Sequence, residues 1–108
     1  MRYIIDIDGT ICHTDDGHDY TQSIPYNETI LEINRLFDDG NHITIFTSRG
    51  GESGKDWHNF TVQQLKNWGL KYHYLILGKP SYDYWIDDKS YNYNKKWMFK
   101  FKKKFNLK

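Results

Sequence analysis

The chain has 108 residues, with 15 Lys and Arg against 14 Asp and Glu, so it has the length of a single domain and is almost neutral overall. Four Trp, nine Tyr and six Phe can furnish a compact core. No run approaches the roughly 18 apolar residues of a membrane span, which excludes a spanning helix. Cys12 is the only cysteine, which excludes an intrachain disulfide and suits a reducing compartment. The opening "MRYIIDID" is too short an apolar stretch for a signal peptide, so a cytoplasmic protein with no membrane partner is expected. The near-neutral total conceals an asymmetry. Lys95 to Lys108 hold seven lysines and no acid, leaving eight basic residues against fourteen acidic ones in residues 1–94, a formal −6.

In chain order, Tyr3 to Ile7 is an apolar, β-branched run stopped by Gly9 and reads as a short buried strand. Residues 11–25 show no sustained period and read as an ordered flap. A helix is expected from Asn27, with Glu28 in its first turn, Ile30, Ile33 and Phe37 on one face, and Gly40 as its stop. "HITIF" (42–46) is a second strand, followed by the polar, glycine-rich "TSRGGESGKD". A second helix is expected from about Trp57 to Trp68, with Thr61, Leu65 and Trp68 on one face and Gly69 as its stop. "YHYLIL" (72–77) and "YDYWI" (82–86) read as the third and fourth strands. In "KKWMFKFKKKF", Trp97, Phe101 and Phe105 recur at helical spacing, as in a terminal helix packed on the sheet with its lysines solvated. Strands alternating with helices predict an α/β fold: a three-layer α/β/α sandwich with a mainly parallel, Rossmann-like sheet, in one domain spanning 1–108.

In such a sheet, ligands bind beyond the carboxyl ends of the strands. The first strand ends in Asp6 and Asp8, the second in Thr47 and Ser48, the fourth in Asp87 and Asp88, and Lys79 follows the third. Like-charged carboxylates repel and lose hydration on burial, so this set is sensible only with a guest. A hard divalent cation such as Mg²⁺ takes oxygen ligands and typically keeps a substrate phosphate as another. The lysine and the hydroxyls would take the phosphate oxygens.

"DIDGT", "ITIFTS", "GKP" and "WIDD", in that order over residues 3–88, resemble the four motifs of the haloacid dehalogenase (HAD) superfamily. The resemblance implies a hydrolase, a phosphatase that uses an aspartyl-phosphate intermediate and Mg²⁺. Asp6 would be the nucleophile and Asp8 the general acid and then base. Thr47 and Lys79 would hold and neutralise the transferring phosphoryl group. Asp6, Asp87 and the Asp8 carbonyl would bind the metal, and Asp88 would ligate through water, orient Lys79 or simply sit at the surface. The two aspartates need opposite protonation states, and an ion beside Asp6 would leave Asp8 as the protonated one. The chain has no room for a cap domain and is similar to small capless members found with capsular polysaccharide genes.

Several alternatives stand beside these assignments. Thr47 could merely cap the following segment. Arg49 could clamp a remote anionic group of the substrate or form a surface ion pair. Between Pro80 and Ile86 only "SYDYW" remains, whereas a parallel crossover takes a dozen residues or so, so either the third strand is displaced or Lys79 arrives from an unusual direction. Cys12, His13 and His18 match no usual zinc spacing. The expected function is hydrolysis of a small phosphorylated metabolite, a sugar phosphate or nucleotide-linked phosphate. A polynucleotide 3′-phosphatase, whose basic tail tracks nucleic acid, is the alternative. A non-enzymatic phospho-aspartate switch is a third reading, but such receivers carry the accepting Asp on a later strand.

Overall fold

The structure, a computed structural model, describes residues 1–15, 19–51 and 55–91. The chain order is β1 (Arg2–Ile5), β2 (Cys12–His13), a 3-10 turn (Tyr20–Gln22), β3 (Ile24–Pro25), α1 (Asn27–Asp38), β4 (His42–Phe46), α2 (His58–Asn67) and β5 (Tyr74–Ile76). The strands β1, β4 and β5 form a sheet in that order, and both pairings are parallel. Ile5 lies opposite Ile45, and Ile45 opposite Leu75, so the inward-pointing side chains of the three strands share one row. The segment read as a flap is a small antiparallel hairpin, with Cys12 opposite Pro25 and His13 opposite Ile24.

The alternation in β4 explains its placement. Ile43 and Ile45 are buried on one face while His42, Thr44 and Phe46 point to the other. The inward face meets Ile30, Ile33 and Leu36 of α1 and Leu65 of α2 in one continuous core, with Tyr3, Phe37, Trp68 and Leu75 at its margin. Both helices therefore cover the same face, as expected when successive right-handed crossovers step across a sheet in one direction. α1 stops where Gly40 takes φ +92°, a conformation costly for any side chain, and Asn41 N–H reaches back to Leu36 O.

The parallel α/β sheet is as expected, and one expected element is corrected. The described residues make two layers: on the opposite face of the sheet Ile4 is 72% exposed and Tyr74 62%. The segment expected to supply part of the third layer, 95–108, lies outside the described residues. The corrected element is the fourth strand, which is absent from its expected place. Residues 82–86 carry no strand and Ile86 is 96% exposed. Its apolar residues look strand-like, but five residues after Pro80 are too few for the crossover that would return the chain to the edge of β1. Among the described residues β1 is thus an edge strand. No helix of the described residues is long and apolar enough to cross a membrane.

Candidate active site

Parallel pairing brings the carboxyl ends of β1, β4 and β5 to one edge, and the chain turns sharply there. After β1 the buried Ile7 offers its carbonyl to Thr10 N–H at 3.0 Å and Ile11 N–H at 2.8 Å. Ile7 is thereby anchored inward, and the flanking Asp6 and Asp8 are left at the edge. Thr10 Oγ1 donates to Asp6 Oδ2 at 3.3 Å. On the far side, β5 ends at Ile76 and Gly78, at φ +80°, folds the next residues back against β4, so that Lys79 N–H donates to Thr47 O at 3.0 Å. That turn delivers Lys79. Its side chain is buried, runs past the rings of Phe46 and Tyr82, and donates to Asp6 Oδ1 at 3.1 Å. The short connection to Asp87 therefore does not impede the lysine, which arrives straight from the β5 turn.

Asp8 has a different neighbour. Arg49 Nε donates to Asp8 Oδ2 at 2.9 Å and Nη2 to Oδ1 at 2.8 Å, a two-pronged pair. Thr14 Oγ1, from the flap, adds a bond to Oδ1 at 2.6 Å. Arg49 is 1% exposed. Its remaining nitrogen, Nη1, donates to Thr61 Oγ1 and Gln64 Oε1 on α2, and the guanidinium carbon Cζ lies 4.4 Å from the Tyr20 ring centre. Each guanidinium nitrogen is engaged inside the protein. The expectation that Arg49 clamps a remote group of the substrate is corrected on this ground, as is a surface ion pair.

Thr47 is likewise buried, and its hydroxyl accepts from Arg49 N–H at 3.2 Å while its backbone N–H donates to Ile76 O. It shapes the start of the loop and keeps its hydroxyl proton to donate. Ser48 is half-buried beside it and its carbonyl accepts from Gly51 N–H. The loop is held close here: a Cβ on Gly51 would lie 3.1 Å from Ser48 O and 3.3 Å from Lys79 O. A cleft of about 230 Å³ opens beside Arg49 and Gly78, walled by Trp57, His58 and Lys55.

The two carboxylates are tuned in opposite directions. Burial pushes Asp6 up, the charge and hydrogen bond of Lys79 offset only part of that, and the Asp8 carboxylate adds to it. Burial also pushes Asp8 up, but the Arg49 fork, its charge and the Thr14 hydroxyl outweigh it and leave Asp8 below the ordinary carboxylate range. The order is the reverse of the one expected for an acid at position 8. Burial raises the Cys12 thiol to about 11, so it remains a protonated donor toward Asp8 Oδ1 at 3.6 Å.

Asp87 and Asp88 are exposed and are not brought to this group. Asp87 Oδ1 instead accepts from Lys89 N–H at 2.8 Å. Among the described residues no three His, Cys, Asp or Glu side chains form a group that could hold a metal ion. With Asp87 elsewhere, the residues as placed do not fit the expected cation site. His18 lies outside the described residues. Sequence reasoning missed Thr14, Tyr20, Thr61 and Gln64, because each meets Arg49 or Asp8 only through the fold. Thr61 and Gln64 are three apart on one helical face, and two polar residues in a stripe that also holds Leu65 were the available signal.

The fold recurs elsewhere. The crystal structure of a target protein from Vibrio cholerae is similar with a TM-score of 0.73 and 25% identity, over 82% of this chain and 80% of that one. No family model and no curated protein matches the chain.

Proposed function

We propose that the chain is a phosphomonoester hydrolase of the HAD type, acting on a small phosphorylated metabolite through an aspartyl phosphate on Asp6. The observation that carries this reading is the meeting of Asp6 at the end of β1 with the buried Lys79, 73 positions later, at 3.1 Å. A buried lysine on a half-exposed carboxylate sets one nucleophile beside one fixed positive charge.

An incoming phosphate monoester draws Lys79 toward its oxygens, which releases the Asp6 Oδ1 lone pair for attack on phosphorus. The bond from phosphorus to the leaving oxygen breaks as the bond to Asp6 forms. The substrate's own negative charge, set beside Asp8, raises the proton affinity of that carboxylate against the pull of Arg49; Asp8 takes up a proton from the phosphate monoanion or from water and passes it to the leaving oxygen. With the leaving group gone, Asp8 returns to the ionised state that Arg49 favours, which suits it to accept a proton from the water that hydrolyses the acyl phosphate. Mg²⁺ enters the proposal through the motif resemblance alone, since Asp87 does not stand beside Asp6, and no step above runs through it.

The test is phosphate release from a panel of sugar phosphates, nucleotides and 3′-phosphorylated oligonucleotides, with and without MgCl2. Asp6→Asn is expected to remove turnover by several orders of magnitude, since an amide is a poor nucleophile. An Asp6→Asn protein with wild-type activity would overturn the mechanism. Full activity after exhaustive EDTA treatment would remove the metal from it and leave the nucleophile standing.

A further inference from the structure

We propose that Arg49 is a positioning residue that ties the proton-transfer carboxylate to the flap, so that Asp8 is aimed correctly only while Tyr20 is seated on Arg49. The inference rests on the phosphatase reading above and gives Arg49 a role that needs no contact with the substrate.

The connections form a closed circuit. Arg49 grips both oxygens of Asp8, at 2.9 and 2.8 Å, which fixes the plane of the carboxylate as a single contact could not. Its other end is bonded to Gln64 Oε1 at 2.7 Å and to Thr61 Oγ1 at 3.2 Å, so α2 holds the guanidinium in place. Gln64 uses its remaining group, Nε2, to donate to the backbone carbonyl of Tyr20 at 2.8 Å. The Tyr20 ring covers the guanidinium and meets the edge of Trp57 at 4.9 Å between ring centres. Thr14, at the other end of the hairpin, returns to Asp8 Oδ1 and also pairs with Ser23 Oγ at 2.6 Å. Flap, α2 and Asp8 thus meet on one guanidinium. An ammonium could not replace it, because a lysine offers neither the planar fork nor a face for the ring.

This arrangement divides the two cations of the site by task. Lys79, on Asp6, faces the phosphate, while Arg49, buried behind Asp8, controls orientation. A positioning role predicts loss in kcat with little change in KM, whereas a substrate clamp predicts the reverse. Displacing the flap should act through the same circuit.

The experiment compares wild type with Arg49→Lys and Tyr20→Leu in steady-state hydrolysis of a substrate found in the phosphate-release panel. It also follows the arginine Nε–H signals by NMR on the full chain, which holds only three arginines, Arg2, Arg35 and Arg49. The expected result is a kcat about 10²-fold lower for Arg49→Lys with KM within about twofold, and a smaller kcat loss for Tyr20→Leu. One Nε–H signal should exchange slowly in the wild type and move in both Asp8→Asn and Tyr20→Leu. A raised KM with unchanged kcat in Arg49→Lys would make Arg49 a substrate clamp and overturn the inference. So would a rapidly exchanging Nε–H for Arg49, which can be read whether or not any substrate is turned over. A wild type inactive on the whole panel, with the slow Nε–H present, would instead sink the phosphatase reading while leaving the Arg49 circuit in place.

Discussion

Asp8 and Arg49 form an ion pair in which one partner is fully buried and the other keeps 22% of its side-chain exposure. Removing one member of a buried pair leaves the other charge desolvated and uncompensated, which costs about 3 kcal/mol or somewhat more. Asp8→Asn is therefore expected to destabilise the protein at neutral pH, in contrast to the mild cost of losing an exposed pair such as Lys71 with Asp38. The sign of the pH dependence follows from the lowered folded-state pKa of Asp8. Its stabilisation is complete above the ordinary carboxylate pKa of the unfolded chain and is lost as pH falls through the lower folded value. Urea titrations of wild type and Asp8→Asn should show midpoints that are well separated at pH 7 and converge in acid below the usual carboxylate range. Equal separation at every pH would mean that the asparagine costs packing rather than charge.

At the scale of elements, β4 and both helices were legible because their apolar periods match the faces they bury. Ile43 and Ile45 alternate, and Ile30 and Ile33 recur at helical spacing. Leu36 lies inside although Phe37 was the expected core residue, since a helix of this pitch buries a stripe and Phe37 falls at its margin, stacked on His73. The strand expected at 82–86 failed because local β-propensity carries no information on whether the chain can reach an edge. For the site, Asp6 and Lys79 were legible from their motifs, but the inward use of Arg49 was not, because only packing decides whether a loop arginine faces solvent. The glycines on either side of α2 also offer a contrast. Gly69, just past α2, has φ +74° with open space around its missing Cβ, so Gly69→Ala should cost only the left-handed backbone penalty of roughly 1–2 kcal/mol. Gly50, at φ +78°, would set a Cβ 2.8 Å from Lys55 O, and a backbone oxygen cannot step aside cheaply. Gly50→Ala should lower the denaturation midpoint more than Gly69→Ala. Equal losses would show that the loop yields.

For the whole molecule, the role of the basic segment 95–108, outside the described residues, can be read from its response to salt. Two physical pictures give opposite salt dependence. If the segment follows a nucleic-acid backbone, each neutralised phosphate releases counterions, and affinity for a single-stranded oligonucleotide falls with a log–log slope near −0.7 per contact. Several lysines acting together would then lose orders of magnitude in affinity between low and moderate salt. If instead Trp97, Phe101 and Phe105 cover apolar surface, the lysines only solvate the outer side, and charge is incidental. The uncovered sheet face, where Ile4, Tyr74 and Ile76 are exposed, favours the second picture, because it offers apolar area that nothing in the described residues shields. The formal −6 of residues 1–94 favours it too, since a polyanion approaching the Asp6 edge would be repelled. Changing Lys102, Lys103 and Lys104 together to Gln should leave turnover of a small phosphomonoester within about twofold. Trp97→Ala, by contrast, should cost roughly 3–5 kcal/mol of stability if the ring is fully buried. Tight binding of a 3′-phosphorylated oligonucleotide at physiological salt, abolished in the triple Gln variant, would reverse this ranking and make the polynucleotide the substrate.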